Sequence, residues 1–218
     1  MKFTFNLKIY LILLLVVTKG LSQDQFIDLY KANLNFTSQL TLTVTAGDYT
    51  QDLSGKTTVN ETFQYVQIGS GEFYTYDRVQ VKVSNTEKKV AYYPIEFMQE
   101  IQSFKFDKEF LEAFYYLKNP DVIESGYQFE LIPLDNYRSL LGQTTIRTDK
   151  DFKINQITYT FPTPNPYGVS KMIYNFTNRV EKTDLTKDPT LYFKKTTNEF
   201  ILLKKYSSYE LINLPNEE

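Results

Sequence analysis

The apolar positions change period along the chain, and each change predicts a different element. In "DQFIDLYKANLNF" (24–36), Phe26, Ile27, Tyr30 and Leu34 recur at helical spacing, which predicts a short amphipathic helix. From residue 39 the period becomes two. In "QLTLTVTA" (39–46), Leu40, Leu42, Val44 and Ala46 point one way and Thr41, Thr43 and Thr45 the other, as in a half-buried strand. "GDY" and "LSG" then punctuate a loop. Strands are expected over 59–68, 73–84 and 90–96, joined by turns at "GSGE" (69–72) and "NTEKK" (85–89), so this stretch reads as an antiparallel meander. Pro94, which has no N–H to donate, marks a strand end or an edge.

The middle of the chain breaks this rhythm. Within 97–120, Asp107 is placed to cap a helix that carries Phe110, Leu111, Phe114 and Tyr115 on one face and stops at Asn119-Pro120. Strands resume over 126–134, 143–149, 152–161, 168–177 and 209–214. "DKD" (149–151) is a tight hairpin turn and "PTPNPYG" (162–168) a longer loop. No repeat, low-complexity tract or linker divides the chain. The prediction is one mainly β (α+β) domain: a strongly curved antiparallel sheet, a short N-terminal helix and a helical insert.

The first residues are expected to lie outside that domain. Lys2 and Lys8 precede the apolar run Ile9–Val17, and Gly20 and Ser22 sit at −3 and −1 of a cut before Gln23. Nine apolar residues are too few to cross a bilayer core, which takes about 20. The pattern is that of a signal peptide over 1–22, with a soluble, exported domain over 23–218. The cut removes three lysines and takes the formal net charge from −2 to −5. That sign argues against nucleic acid or an anionic membrane surface as the main partner. With no cysteine, the domain holds together without disulfides and offers no thiol for acylation after the cut. The expectation is a freely diffusing monomer of the periplasm.

Composition narrows the chemistry. The chain has no His and no Cys, so the usual general base, thiol nucleophile and soft metal ligands are missing. "GSG" (69–71) lacks the context of a phosphate loop. Asp149 and Asp151 share one hairpin tip and read as solvated, not as a glycosidase pair. Catalytic residues, metal and cofactor are all expected to be none. A carboxylate-dependent hydrolase is the weakest reading. The sequons at Asn35, Asn60 and Asn175 are what chance gives in a chain rich in Asn and Thr.

What stands out is 18 Tyr and 17 Phe. On the strands they include Phe63, Tyr65, Phe73, Tyr92, Phe129, Tyr159, Phe161 and Tyr174; on the insert, Phe110, Leu111, Phe114 and Tyr115 form one face. Each one singly is a core residue on burial statistics. Together they offer more apolar surface than two short helices cover, and a curved sheet under a helical lid leaves an apolar cavity of the kind that takes a lipid. Two function classes follow: a lipid carrier with these twelve residues as cavity and lid, or a secreted β-rich structural or adhesion protein with a filled core and no ligand. In "VAYYP" (90–94), alternation sets Val90 and Tyr92 on one face and Ala91 and Tyr93 on the other, without saying which is inside.

The order of elements resembles the periplasmic outer-membrane lipoprotein carriers of the LolA family and related lipid carriers. The resemblance rests on "FTSQLTLTVTA", "ETFQYVQIGSGEFYTY", "NTEKKVAYYP", "YQFELIP", "TTIRTDKDFKINQITYTF" and "TDLTKDPTLYF", which together span nearly all of 23–218. It is one of layout more than of invariant residues. It implies an unclosed β-barrel lidded by helices. The cavity would take lipoprotein acyl chains from an inner-membrane exporter and pass them to an outer-membrane acceptor. The chain departs from that pattern at "IGSGEFY", where Ser70 stands and no Arg precedes the aromatic strand to fasten a lid.

Overall fold

The computed structural model describes residues 25–76, 79–94, 108–138, 141–161, 168–196 and 199–213. The expected cut before Gln23, the cap at Asp107 and residues 162–167 of the long loop lie outside the described residues. In chain order the elements are helix α1 (25–32), β1 (Phe36–Ala46), β2 (Tyr49–Val59), β3 (Phe63–Ile68), β4 (Gly71–Tyr76), β5 (Val79–Ser84) and β6 (Lys89–Pro94). Helix α2 (Lys108–Phe114) follows, then β7 (Tyr115–Leu117), β8 (Asp121–Ile123), β9 (Gly126–Pro133), β10 (Gln143–Thr148), β11 (Ile154–Thr160) and β12 (Val169–Val180). The tail holds β13 (Phe193–Lys195), β14 (Phe200–Leu202) and β15 (Glu210–Asn213), with short 3-10 turns around them.

Thirteen strands join in one sheet, ordered β15-β6-β5-β4-β3-β2-β1-β12-β11-β10-β9-β7, with β8 also on β9. Every neighbour is antiparallel except β15, which runs parallel to β6. A twisted sheet of this many strands must curl. Its terminal strands β15 and β7 do not pair, so it stays open. The mainly β, curved, unclosed architecture is the one the sequence predicts.

Several elements differ from expectation. The loop read over 47–58 is β2, which pairs with all eleven residues of β1. Its first half is exposed and polar, so it joins the sheet through its hydrogen-bond ladder, not through an apolar pattern. Gly55 is required there: a Cβ would stand 1.8 Å from the Gln67 carbonyl oxygen on β3. The single strand read over 73–84 is the hairpin β4–β5, with Tyr76 opposite Val79. The insert helix ends at Phe114, and Tyr115 begins a strand because it pairs with Pro133. The final strand read over 209–214 is β15, and before it come β14, which the pattern does not predict, and a 3-10 turn at Lys204–Tyr206.

In α1 the buried stripe is Phe26, Leu29 and Asn33, while Ile27 is 39% exposed. The predicted stripe is therefore turned around the helix, because docking follows the i, i+3, i+7 row that meets the sheet. Asn33 fixes the helix end. Its amide donates to the carbonyls of Leu29 (2.6 Å) and Phe152 (2.9 Å), and its Oδ1 accepts from the Ile154 N–H (3.1 Å) and Arg179 (2.6 Å). Arg179, from β12, also donates to the Ala32 carbonyl and to Glu181, and lies 4.0 Å from the Phe36 ring centroid. One buried amide and one guanidinium thus cap the helix C-terminus and join it to β1, β11 and β12.

Two apolar cores lie on opposite faces of the sheet. Paired residues on neighbouring strands face the same way. The row Leu131, Thr144, Tyr159, Met172, Val44 runs across β9, β10, β11, β12 and β1 and defines one face. Phe26 and Leu29 of α1 and Leu111 and Phe114 of α2 pack there, which makes it the helical face. The row Tyr65, Tyr74, Val81, Tyr92 across β3 to β6 defines the back face, and the tail covers it with Phe193, Phe200 and Tyr206. Each fully buried Phe or Leu contributes about 1.5–3 kcal/mol by leaving water.

Candidate functional site

The sheet divides the residues singled out from the sequence. Phe73, Leu111, Phe114, Tyr115, Phe129, Tyr159, Phe161 and Tyr174 stand on the helical face. Phe63, Tyr65 and Tyr92 stand on the back face, and no single cavity can be lined from both sides of a sheet. Tyr92 stacks on Phe200 at 4.1 Å and Tyr65 packs against Tyr74 at 4.9 Å, so these rings fill a second core. Phe110 lies within α2, but its side chain is outside the described residues. The correction has a simple cause. Where a sheet is covered on both faces, aromatics occupy odd and even positions alike, and alternation no longer separates inside from outside.

On the helical face, burial is graded. Phe129, Ile146 and Ile157 are fully enclosed beneath α1, whose Phe26 ring meets Phe129 edge-on at 5.0 Å. Leu111 and Phe114 are buried at the adjoining margin, and the Phe114 ring meets Tyr137 at 5.3 Å. Away from the helices, Val44, Val66, Ile68, Phe73, Met172 and Tyr174 are only half-buried. The face is thus a packed core that runs out into an incompletely covered apolar belt. Val66, Ile68 and Met172 went unnoticed in the sequence. Their signal is the alternation of β3 and β12, masked because Tyr65 and Ile173 beside them are also apolar.

The buried polar side chains on this face, among them Ser38, Thr57, Gln64 and Thr144, carry no charge. Burial pushes the Tyr115 phenol up to about 12 and that of Tyr174 higher still. The Tyr159 hydroxyl is buried and has no hydrogen-bond partner among the described residues. The Lys82 ammonium lies 5.9 Å from the Phe73 ring at the edge of the belt.

The back face holds the densest polar cluster. Glu72 stands among aromatic rings, and its Oε2 accepts from the hydroxyls of Tyr65 (3.0 Å), Tyr74 (3.0 Å) and Tyr206 (2.9 Å) and from Lys205 (3.1 Å). Its Oε1 accepts from Asn85 (2.7 Å). Burial alone would raise this carboxyl, but the Asn85 hydrogen bond, the Lys205 charge and the Tyr206 hydroxyl outweigh it and hold it at about 2. Burial and the ionised Glu72 push the Tyr65 phenol well above the tyrosine range. With both carboxylate oxygens accepting, Glu72 is a clamp between sheet and tail, not a free acid. An open groove of about 440 Å³ near the β1–β12 margin, lined by Thr37, Val180 and Leu185 among others, contains none of the predicted site residues.

Among the described residues no group of three or more acidic side chains is placed to hold a metal ion, and no helix is long and apolar enough to cross a membrane. No family model matches the chain, and no curated protein matches it in sequence. Among solved structures it is similar to an uncharacterized conserved protein from Thermus thermophilus, at 9% identity and TM-score 0.49, over 88% of this chain and 99% of that one. It is similar to a DUF1329 family protein from Desulfovibrio piger, at 11% identity and TM-score 0.47, over 78% and 95%. A LolA superfamily protein from Nitrosomonas europaea aligns at 9% identity and TM-score 0.41, over 77% and 96%. None of these likenesses assigns an activity to the chain.

Proposed function

We propose that the protein is a non-catalytic periplasmic carrier that shelters acyl chains, of lipoproteins or a similar lipid, on the helical face of its open sheet. The observation that carries this reading is the apolar belt of Val44, Val66, Ile68, Phe73, Met172 and Tyr174, which the described helices leave half-covered. Such a surface is costly in water and suits a long apolar ligand. Each acyl methylene moved onto it is worth about 0.8 kcal/mol, so a dozen or so hold a lipid reversibly without a covalent bond. The absence of His and Cys removes the commonest catalytic groups and leaves burial as the work the face can do. The layout resemblance described above points the same way. On this reading residues 1–22 are a signal peptide, and the donors and acceptors of cargo are an inner-membrane exporter and an outer-membrane receptor.

Native mass spectrometry of the protein purified from its host tests the reading. Copurified lipid or lipoprotein is the expected result. A bare mass in repeated preparations, with no uptake of a fluorescent acyl probe, overturns it. That result favours a structural protein whose cores, closed around Phe129 and Val81, are complete without ligand.

A further inference from the structure

Among the described residues of the helical face, the Tyr159 hydroxyl is a buried polar group that the fold leaves unsatisfied. Tyr159 is 8% exposed, and its hydroxyl has no hydrogen-bond partner among the described residues. A hydroxyl stripped of water without a replacement is a standing penalty. Phenylalanine at 159 would fill the same space without it. The side chain stands mid-face, opposite Thr144 on β10 and Met172 on β12, and its ring meets Tyr174 edge-on at 5.8 Å. Burial, with Tyr174 and Tyr115 nearby, pushes its phenol well above the usual tyrosine range, so it remains an O–H donor at physiological pH.

We propose that the Tyr159 hydroxyl is a specificity donor for the bound lipid: it hydrogen-bonds a neutral carbonyl oxygen, the ester or amide at the head of an acyl chain. This rests on the carrier reading of the same face. A hydrocarbon has no acceptor, so a face built for hydrocarbon alone gains nothing from a buried phenol. The carbonyl is the acceptor that acyl cargo carries beside its chain. A carboxylate fits less well, because no Lys or Arg is among the buried residues described, so nothing enclosed on this face balances its charge. A site whose donor is left unpaired by the wrong ligand discriminates more sharply than one that only matches shape.

The test is displacement of a fluorescent alkyl probe by methyl palmitate and by hexadecane, with the wild-type chain and Tyr159→Phe. The wild type is expected to favour the ester by about three- to tenfold, the worth of one neutral hydrogen bond. In Tyr159→Phe the ratio falls to about one, and the free protein melts at the same temperature or higher. Equal displacement in the wild type, or a preference that survives in Tyr159→Phe, overturns the proposal. A clear fall in melting temperature also overturns it, because the hydroxyl then has a partner inside the chain. If the fluorescent probe does not bind the wild type at all, the carrier reading itself fails and the proposal falls with it; the other outcomes leave that reading standing.

Discussion

Glu72 and Tyr206 are 134 residues apart in sequence, and the Tyr206 hydroxyl donates to the Glu72 Oε2 at 2.9 Å. The same oxygen gathers Tyr65, Tyr74 and Lys205, so a strand of the first meander and the tail are joined at one atom. Replacing Glu72 by Ala removes the shared acceptor of three buried phenols and one ammonium, and of the phenols Tyr74 and Tyr206 keep only their mutual hydrogen bond at 3.0 Å. The expected loss is about 3 kcal/mol or more, because removing one partner of a buried polar network leaves the others unpaired. Tyr206→Phe removes a single donor and costs about 1 kcal/mol. Urea denaturation of the two variants checks the order, and equal losses would show that Glu72 is not the centre of the network.

The same carboxylate makes stability depend on pH. Its folded value of about 2 lies below the ordinary 4.5. The unfolded chain therefore takes up the proton first, so the contribution of Glu72 is fully present above about pH 4.5. It is lost as pH falls from there through about 2. The size is on the order of 3 kcal/mol. The stability gap between wild type and Glu72→Gln is expected to narrow steadily from pH 5 to pH 2 in urea titrations. A gap that ignores pH would mean that Glu72 binds its proton equally in the folded and unfolded chains, and a gap that widens toward pH 2 that the group is neutral in the folded protein.

Asn33 has its amide fully used by the carbonyls of Leu29 and Phe152, the Ile154 N–H and Arg179. Asn33→Ala leaves those groups unpaired in a buried place, and a loss of about 2–4 kcal/mol is expected. The loss is local first. Hydrogen exchange at residues 25–32 should speed up more than at β4 or β5, since α1 is held to the sheet through this side chain. Uniform acceleration across the chain would instead make Asn33 a global core residue.

Phe114 tests how firmly the insert is held. It is buried, its ring packs on Tyr137, and its carbonyl accepts from the Leu134 N–H at 2.9 Å. Phe114→Asp is expected to cost at least about 3 kcal/mol, the penalty of an unpaired charge in a packed site. A fall of less than about 1 kcal/mol, with loss of acyl-probe binding, would make this end of α2 part of a moving lid.

Much of the fold is legible in the sequence where pattern and burial coincide. The alternation of Leu40, Leu42 and Val44 gives β1 and its inner face, and the tips at 85–89 and 149–151 give two hairpins. The first half of β2 is not legible in this way, because exposed Thr, Gln and Asp carry no periodic signal and the strand exists through its partner. The division of the aromatics is hidden for another reason. Tyr65 and Val66 are both apolar, and which one faces the helices is settled by a tail more than a hundred residues later. Glu72 reads as the last residue of a turn. Its one sequence signal is an acid beginning a run of aromatic strand positions.

The parallel pairing of β15 with β6 sets the order in which the molecule can be finished. A chain made from its N-terminus reaches β1 to β6 early, yet among the described residues the outer row of β6 finds its partner only at residues 210–213. Tyr65, Val81 and Tyr92 likewise stay wet until residues 193–206 arrive to cover them. Half-made, the molecule is a sheet with one bare apolar side and a free edge, the combination that invites association between chains. Residues 193–213 therefore close two liabilities, the bare side and the free edge, and a chain stopped short of them would be a species built to stick.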